Sequence, residues 1–250
     1  MMNPAEFANI AEAERQLWWY RGMRRILFRL LEPCLKGREV RRVLEAGCGT
    51  GYFARVLEQE RGWTVYASDI AREGLSYGRG MGLRRLSQAD LSALPFRTGA
   101  FDLVSAMDVL AHFAPGEEAR PIGELARVLS PGGLLVLRAS ALNILRSRHS
   151  EFINERQRLT RGRLLAAMCK VGIRVLRCTY ANTLLLPVAL AKFRIWEPLL
   201  GRPPESGVHP LPGWVDRLLY GCLWAESAWL SEGWNLPAGQ SLILVGEKAA

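Results

Sequence analysis

The sequence has few residues that could form a metal site or a disulfide framework. Its five cysteines are scattered without a C-x-x-C pair, and its three histidines lie far from one another and from any pair of cysteines. An odd number of unpaired cysteines argues against a disulfide scaffold and favours a reducing compartment. We therefore expect no metal ion and a cytoplasmic protein.

Long apolar runs are also missing. The longest apolar stretch, residues 183–200, is interrupted by Lys192, Arg194 and Glu197, and it contains Pro187. This pattern favours a helix that is buried or lies on a membrane over one that spans it. The first residues carry carboxylates where a signal peptide would have a basic end and an apolar run, so we expect no such peptide.

The composition is that of a globular protein. Over 250 residues, 49% are hydrophobic and 23% are charged, which excludes wholesale disorder, a collagen-like fibre and a polytopic membrane protein. The net charge is +9, and the stretch from Arg138 to Arg177 holds ten basic residues against two acidic ones, a balance of +8. This stretch is either a solvated basic face or a site for an anionic substrate or an acidic surface, because guanidinium groups suit phosphate and carboxylate.

Strand-like and helix-like segments alternate along most of the chain. The first 40 residues have a helical pattern, and residues 43–57 then predict a strand, a glycine turn and a helix. Further strands are predicted at 63–68, 83–88, 101–106, 134–139, 173–179 and 241–245, and further helices at 71–81, 116–129 and 160–170. A turn is predicted at residues 131–133. Such alternation is typical of an α/β protein with a doubly wound, parallel sheet that is covered on both faces.

The glycine turn is the first candidate ligand site. A turn of this kind between a strand and a helix lets the backbone approach a ligand and offers unpaired N–H groups at a positive helix end. It could also serve packing alone. Glu45 lies two residues before Gly47, where it would repel a pyrophosphate but suit a ligand that carries an ammonium and a carboxylate. The amino-acid end of S-adenosylmethionine has that chemistry.

Two further acids follow the next two strands. Asp69 comes eighteen residues after Gly51, at the end of the second strand, where a carboxylate can bind both hydroxyls of a ribose. Asp90 follows the third strand and could accept a hydrogen bond from an adenine amino group. Each acid alone could be a helix cap or a solvated loop residue. Together with Glu45 and the glycine turn, they favour a nucleoside site at one edge of the sheet.

From Arg41 to Ser140 the chain resembles the class I, seven-stranded S-adenosylmethionine-dependent methyltransferases, in particular small-molecule enzymes related to those of ubiquinone biosynthesis. The resemblance lies in the glycine motif VLEAGCGTGYF, the ribose strand VYASDIA, the adenine loop QADLSALPF, the fourth strand FDLVSAMDVLAHF and the segment ELARVLSPGGLLVL. It implies a mostly parallel, seven-stranded Rossmann-like sheet with an antiparallel last strand, S-adenosylmethionine as cofactor and S-adenosylhomocysteine as product.

The resemblance also implies roles for individual residues. The methionine part of the cofactor would be lined by Glu45, Gly47, Cys48, Gly49 and Gly51. Ribose and adenine would be held by Asp69, Ile70, Asp90 and Leu91, and the sulfonium would lie beside Met107 and Asp108. The flanks are similar to a bacterial subset, mostly without assigned substrates, that has an aromatic N-terminal helix and an arginine-rich segment after the fifth strand.

The acceptor side is less constrained by the sequence. Trp18, Trp19, Tyr20 and Arg21 could cover the cofactor and bind substrate, or could simply form an amphipathic helix that caps the sheet. A second group of substrate-binding candidates is Arg146 and Arg148. Candidate proton acceptors are Asp108, His149 and Tyr180, although a transfer without a base remains open. His112 is more typical of a structural histidine.

We expect one structural domain in three parts: a helical cap (1–40), a cofactor-binding core (41–181 and 240–248) and a helical insert or lid (182–239). The insert is rich in Leu and Trp, which fits a small or lipid-like, anionic acceptor, peripheral contact with a membrane, burial within the protein or a homodimer interface. No dedicated nucleic-acid module is evident. The alternatives to a methyltransferase are a nicotinamide-dependent oxidoreductase and a catalytically silent protein that binds the cofactor.

Overall fold

The computed structural model describes residues 2–201 and 203–249. Within them the backbone forms one sheet of seven strands, in the order β3-β2-β1-β4-β5-β7-β6. The strands are β1 (Arg42–Ala46), β2 (Thr64–Asp69), β3 (Leu86–Gln88), β4 (Phe101–Met107), β5 (Leu129–Ser140), β6 (Ile173–Ala181) and β7 (Ser241–Lys248). Ten α-helices are described: α1 (Glu6–Ala13), α2 (Trp18–Leu35), α3 (Tyr52–Arg61), α4 (Arg72–Gly80), α5 (Ala119–Val128), α6 (Arg148–Phe152), α7 (Arg161–Lys170), α8 (Leu186–Ala191), α9 (Glu197–Leu200) and α10 (Gly213–Ser231).

The first five strands pair in parallel, and β7 lies antiparallel between β5 and β6. Reversal of strand order beside β1 opens a crevice at the carboxyl ends of β1 and β4, where doubly wound sheets bind ligands. The predicted fold class, a mostly parallel Rossmann-like sheet with an antiparallel last strand, is confirmed.

Both faces of the sheet are buried, because consecutive strand residues point to opposite sides. Val43 packs into one apolar cluster and Leu44 into the other, and Leu103 and Val104 alternate in the same way. This explains why the central strands are continuous apolar runs in the sequence rather than alternating ones. The result is a rigid platform beneath the glycine turn.

Several predicted boundaries differ from the structure. The N-terminal segment is two helices rather than one, because the chain leaves helical geometry at Leu17 before α2 begins. The turn predicted at residues 131–133 lies inside β5, where the pairing with β4 shifts register between Phe101 and Leu103. Strand β3 is limited to three residues. Proline and glycine occur both in turns and in β-bulges, so the residue types at 131–133 did not show which of the two forms here.

Within the insert, a buried carboxyl group joins α10 to the segment that directly follows β6. Glu226 of α10 accepts hydrogen bonds from the backbone N–H groups of Asn182, Thr183 and Leu184, each at 2.7 Å. Between α8 and α9 the chain forms a π-helical segment, Lys192–Trp196. Among the described helices, none is long and apolar enough to cross a membrane.

Candidate active site

A cavity of about 880 Å³ lies at the carboxyl ends of β1, β2 and β4. Its floor is formed by the glycine turn after β1, and its walls come from α1, α2 and the insert. The lining includes the following predicted site residues: Glu45, Gly47, Cys48, Gly49, Asp69, Ile70, Asp90, Leu91, Met107, Asp108, Trp19, Tyr20, Arg148 and His149. The fold therefore gathers residues from almost the whole length of the chain around one space.

The glycine turn has a backbone that other residues would strain. Gly47, Gly49 and Gly51 all have positive φ angles, of 72°, 55° and 78°. A Cβ atom on Gly47 would also lie 2.5 Å from the Val109 side chain, whereas one on Gly49 would meet no atom within 4 Å. Gly47 is thus needed for close packing, and Gly49 leaves room for a ligand to approach the backbone.

Glu45 is buried at the end of β1, and one of its carboxyl oxygens, Oε2, has no hydrogen-bond partner in the described chain. Burial raises the pKa of Glu45 well above its usual value, and the nearby carboxyl groups of Glu14 and Asp69 raise it further. The backbone N–H of Ala54 in α3 acts against this shift. A buried oxygen without a donor is costly, so this site suits a ligand that brings a donor or a positive charge.

Asp69 closes the glycine turn at the end of β2. Its Oδ2 accepts from the N–H of Gly49 and its Oδ1 from the N–H of Ala71, both at 2.8 Å. Burial raises the pKa of Asp69, and these two amides partly oppose the effect. Each carboxylate oxygen keeps further acceptor capacity, so Asp69 can bind two ligand hydroxyls while it holds the turn.

The residues predicted near the base and the sulfonium line the same cavity. Asp90 accepts a hydrogen bond from the N–H of Ser92, which fixes its loop, and Leu91 beside it is buried. Ile70 is partly exposed at the end of β2. Met107 ends β4 and packs against the apolar cluster that contains Cys48. An aromatic base between Ile70 and Leu91 would contact apolar side chains on either side.

Asp108 is bound by Arg138, which sequence analysis considered only as one member of the basic stretch. Arg138 of β5 forms an ion pair with Asp108, with Nη2 to Oδ2 at 2.7 Å, and its guanidinium lies 4.7 Å from the ring centre of Trp19. Asp108 itself has a left-handed backbone, with φ of 58°. Because Oδ2 of Asp108 is bound by Arg138, the geometry favours a positioning role for this carboxylate over the role of general base.

Glu14 is a second site residue that sequence analysis missed. It follows α1, is buried, lines the cavity and accepts a 2.6 Å hydrogen bond from the hydroxyl of Thr50 in the glycine turn. Burial raises the pKa of Glu14 to about 7 in spite of this bond and of the nearby Arg15. The two partners are 36 residues apart, so no local sequence pattern indicates their contact.

All three histidines of the sequence line the cavity, and burial lowers the pKa of two of them, His112 and His149. The Nδ1 atom of His149 accepts a 2.9 Å hydrogen bond from the N–H of Gly207, which assigns the proton of the neutral ring to Nε2. His149 therefore has a donor to offer at Nε2, which does not suit a proton acceptor. The Nδ1 atom of His112 lies 3.4 Å from the carbonyl oxygen of Asn154, consistent with a structural role.

Four predicted site residues do not line the cavity. Arg21 pairs with Asp216 of α10, so it joins α2 to the insert instead of facing a substrate. Arg146 donates to the carbonyl oxygen of Glu155. Tyr180 packs against the apolar core from β6, and Gly51 forms the buried start of α3. Packing partners that are distant in sequence decide these positions.

Half of the ten basic residues in the arginine-rich stretch form ion pairs with acidic side chains of the described chain. Arg148 lies 3.8 Å from Glu197 and 3.6 Å from Glu205, and Arg158 pairs with Glu155 at 3.1 Å. The basic face expected between residues 138 and 177 is therefore not a free anion-binding cluster at these positions. Other basic side chains that line the cavity include Arg156 and Lys192, which form no ion pair with a described residue.

Comparison with known proteins agrees with this geometry. Residues 44–137 match the family model described as a methyltransferase domain. The chain is 42% identical over 103 residues to demethylmenaquinone methyltransferase of Thermus thermophilus, which covers 39% of this chain and 46% of that protein. It is 36% identical over 94 residues to malonyl-[acyl-carrier protein] O-methyltransferase of Pectobacterium atrosepticum, covering 37% of this chain and 36% of that one.

Solved structures share the fold. A Haloferax volcanii methyltransferase described as putative, in complex with the activator Trm112, matches with a TM-score of 0.60 and 19% identity over 98% of both chains. Geranyl diphosphate C-methyltransferase of Streptomyces coelicolor, solved with S-adenosylhomocysteine, matches with a TM-score of 0.56 and 14% identity over 88% of this chain and 75% of that one. The chain spans less than half the length of the curated relatives named above. Residues 44–137 thus match a methyltransferase domain, and the sheet has the fold of these solved methyltransferases.

Proposed function

We propose that this class I methyltransferase-domain protein transfers a methyl group from S-adenosylmethionine to a small-molecule acceptor. The observation that carries the proposal is the unpaired, buried Oε2 of Glu45, which lies in one cavity with the carboxylate of Asp69. An ammonium group at Glu45 and a ribose at Asp69 would satisfy both carboxyl groups at once. A dinucleotide would instead bring a pyrophosphate, which has no hydrogen-bond donor for this oxygen, and this disfavours an oxidoreductase.

The residues present fit the cofactor along its whole length. Glu45, Gly47, Cys48 and Gly49 would hold the methionine part, and Asp69 would hold the ribose. The remaining contacts would come from Ile70, Asp90, Leu91, Met107 and Asp108. The bound cofactor supplies an electrophilic methyl group on a positively charged sulfur.

The protein's own contribution is alignment and exclusion of water. Such alignment lowers a barrier by about 7–11 kcal/mol in favourable intramolecular reactions. Trp19 is fixed by the guanidinium of Arg138, and Tyr20 lies edge-on to Trp19 with ring centres 5.0 Å apart. These rings would cover the reacting atoms, and Arg138 would hold Asp108 in position beside them. His149 would donate a hydrogen bond to the acceptor through Nε2.

The acceptor that we propose has an apolar body and an anionic group. The insert contributes Leu185, Val188, Phe193 and Leu219 to the cavity wall. Arg156 and Lys192 face the same cavity without an ion pair to a described residue, and they would bind the anionic group. Arg148 would contribute to acceptor binding indirectly, because it binds Glu197 and so positions α9 in the cavity wall.

Calorimetric titration and a methylation assay test the proposal together. The protein should bind S-adenosylhomocysteine and not NADH, and should transfer label from methyl-labelled S-adenosylmethionine to a small molecule or lipid of a cell extract. Mass spectrometry would identify the product by its gain of one methylene unit. Preferred binding of NADH would favour an oxidoreductase, and tight binding of S-adenosylhomocysteine without any labelled product would favour a silent binding protein.

A further inference from the structure

Helix α10 has an exposed face that is almost entirely apolar. Trp214, Leu218, Trp224 and Trp229 are exposed by 71%, 62%, 49% and 53%, respectively. The exposed residues recur at helical spacing, so they share one side of the helix. We call this side the α10 face; it comprises Trp214, Leu218, Gly221, Trp224, Ala225, Ala228 and Trp229. Single exposed apolar residues are ordinary, but a continuous stripe with three tryptophans marks an interaction surface.

Basic side chains border the α10 face. Helix α2 lies beside α10 and contributes Arg21, Arg25 and Arg29 at four-residue spacing, which we call the α2 arginine row. Arg25 donates to the hydroxyl of Ser227 and lies 5.5 Å from the ring centre of Trp224. Arg25 and Arg29 form no ion pair with a described residue.

The charged side chains of α10 that are exposed next to the α10 face are mostly basic. Arg217 is exposed between Trp214 and Leu218, and its Nε donates to the carbonyl oxygen of Gly213. Asp216 is occupied by Arg21, which leaves Glu232 as an exposed carboxylate just beyond the end of the helix. The surface therefore combines tryptophans with uncompensated arginines.

We propose that the α10 face and the α2 arginine row bind the surface of a bilayer that contains anionic phospholipids. Tryptophan is favoured at the boundary between headgroups and acyl chains, because its ring is apolar and its N–H is polar. Arginines beside it are attracted to the negative surface potential of such a bilayer. A helix with this composition lies in the plane of the interface.

A second copy of the chain fits this surface less well. A twofold interface places the same patch of both subunits together, so Arg217 and the α2 arginine row would face their own equivalents. Like charges brought together in this way oppose association. Anionic headgroups would instead neutralise Arg25, Arg29 and Arg217, which form no ion pair with a described residue.

The same two helices contribute to the cavity from their inner sides. Leu219 of α10 and Trp18 of α2 line it, and the N–H of Trp18 is fixed by Asp216 at 2.7 Å. Docking through α10 would therefore bring the acceptor side of the cavity close to the bilayer. This relation fits the proposed apolar acceptor, but binding to vesicles can be measured whether or not methyl transfer occurs.

Flotation with vesicles tests the proposal directly. The full chain should float with vesicles of phosphatidylcholine mixed with phosphatidylglycerol, and much less with phosphatidylcholine alone. Added salt should reduce the association, because it screens the arginines. The double variant Trp224→Ser/Trp229→Ser should reduce the bound fraction about tenfold, since it removes apolar area from the interface. Arg217→Glu should weaken binding to the mixed vesicles selectively.

The control is Tyr77→Ser, which removes an exposed aromatic ring from α4, beside the opposite edge of the sheet. It should float as the wild type does, and circular dichroism should confirm that all variants are folded. Equal flotation of the tryptophan variant and the wild type would overturn the proposal, as would a wild type that binds neither kind of vesicle. A dimer by light scattering that the tryptophan variant dissociates would assign the surface to a second copy instead.

Discussion

Arg138 and Asp108 lie at the ends of neighbouring strands and contact each other through both side chain and backbone. The guanidinium holds Oδ2 of Asp108 at 2.7 Å, and the N–H of Asp108 donates to the carbonyl oxygen of Arg138 at 2.8 Å. The same guanidinium lies against Trp19. One side chain thus joins β4, β5 and α2 at the rim of the cavity, next to the position proposed for the sulfonium.

This relationship predicts energetic coupling between the two residues. In a double-mutant cycle of Arg138→Leu and Asp108→Asn, the free energies of unfolding should differ from additivity by about 1 kcal/mol, since the pair is only partly shielded from water. Urea denaturation of the four proteins measures this quantity. The exposed pair Arg41 and Glu39 is the matched control, with less coupling expected. Additive effects at positions 138 and 108 would show that the pair contributes nothing.

Asp69→Asn should weaken the binding of S-adenosylhomocysteine by about ten- to a hundredfold, because charge-assisted hydrogen bonds to the ribose are lost. Calorimetric titration measures the change. Asp102→Asn is the control: Asp102 also binds two backbone amides, those of Arg41 and Arg42, but it lies outside the cavity. This variant should lower stability without changing affinity. Equal affinity of the Asp69 variant and the wild type would place the ribose elsewhere.

Binding of S-adenosylhomocysteine at neutral pH should release protons. The pKa of Glu45 is raised by burial in the free protein, so an ammonium placed against it favours ionisation and expels protons in a number set by the pH. Titrations in buffers of different ionisation enthalpy measure this number. 5′-Methylthioadenosine, which lacks the amino-acid end, should release none, and Glu45→Gln should reduce the release. The same proton count for both ligands would separate Glu45 from the ammonium.

Glu14 should make the stability of the free protein depend on pH. Its pKa is about 7 in the folded chain against an ordinary value of 4.5, so the folded state keeps a proton that the unfolded state loses as the pH rises between these values. The contribution of Glu14 to stability is therefore greatest below pH 4.5 and falls by about 2–3 kcal/mol by pH 8.

The comparison of Glu14→Gln with the wild type isolates this effect. The variant should gain stability relative to the wild type as the pH rises from about 4 to 8, measured by urea denaturation at several pH values. Glu12→Gln changes an exposed glutamate in the last turn of α1, two residues before Glu14, and should show no such trend. A difference that stays constant with pH would mean that Glu14 is ionised throughout.

The positions of residues at the ends of parallel strands could be predicted from the sequence. Glu45, Gly47 and Asp69 follow strands directly, and parallel strands bring their carboxyl ends to one edge, so local pattern was enough to collect them. Tyr180 also belongs to a segment with a strand pattern, but that segment is β6, which lies at the edge of the sheet remote from β1. The pattern predicts the strand and not its distance from the site.

Other features depend on contacts between distant segments. Glu14 reaches Thr50 and Glu226 reaches the backbone at 182–184, and neither carboxyl group differs in sequence from a solvated glutamate. The arginine-rich stretch suggested a free basic cluster because its partners, Glu197 and Glu205, belong to the insert. Burial and pairing of these groups arise only when the helices pack on the sheet.

Strand β7 has a consequence for how the chain is made. It is inserted between β5 and β6, although it follows both in the sequence, so β6 cannot pair with it until residues 241–248 have left the ribosome. The first five strands can assemble earlier, since their partners precede them. A nascent chain halted before β7 would therefore expose the open edges of β5 and β6, and would be the form of this protein most dependent on chaperones.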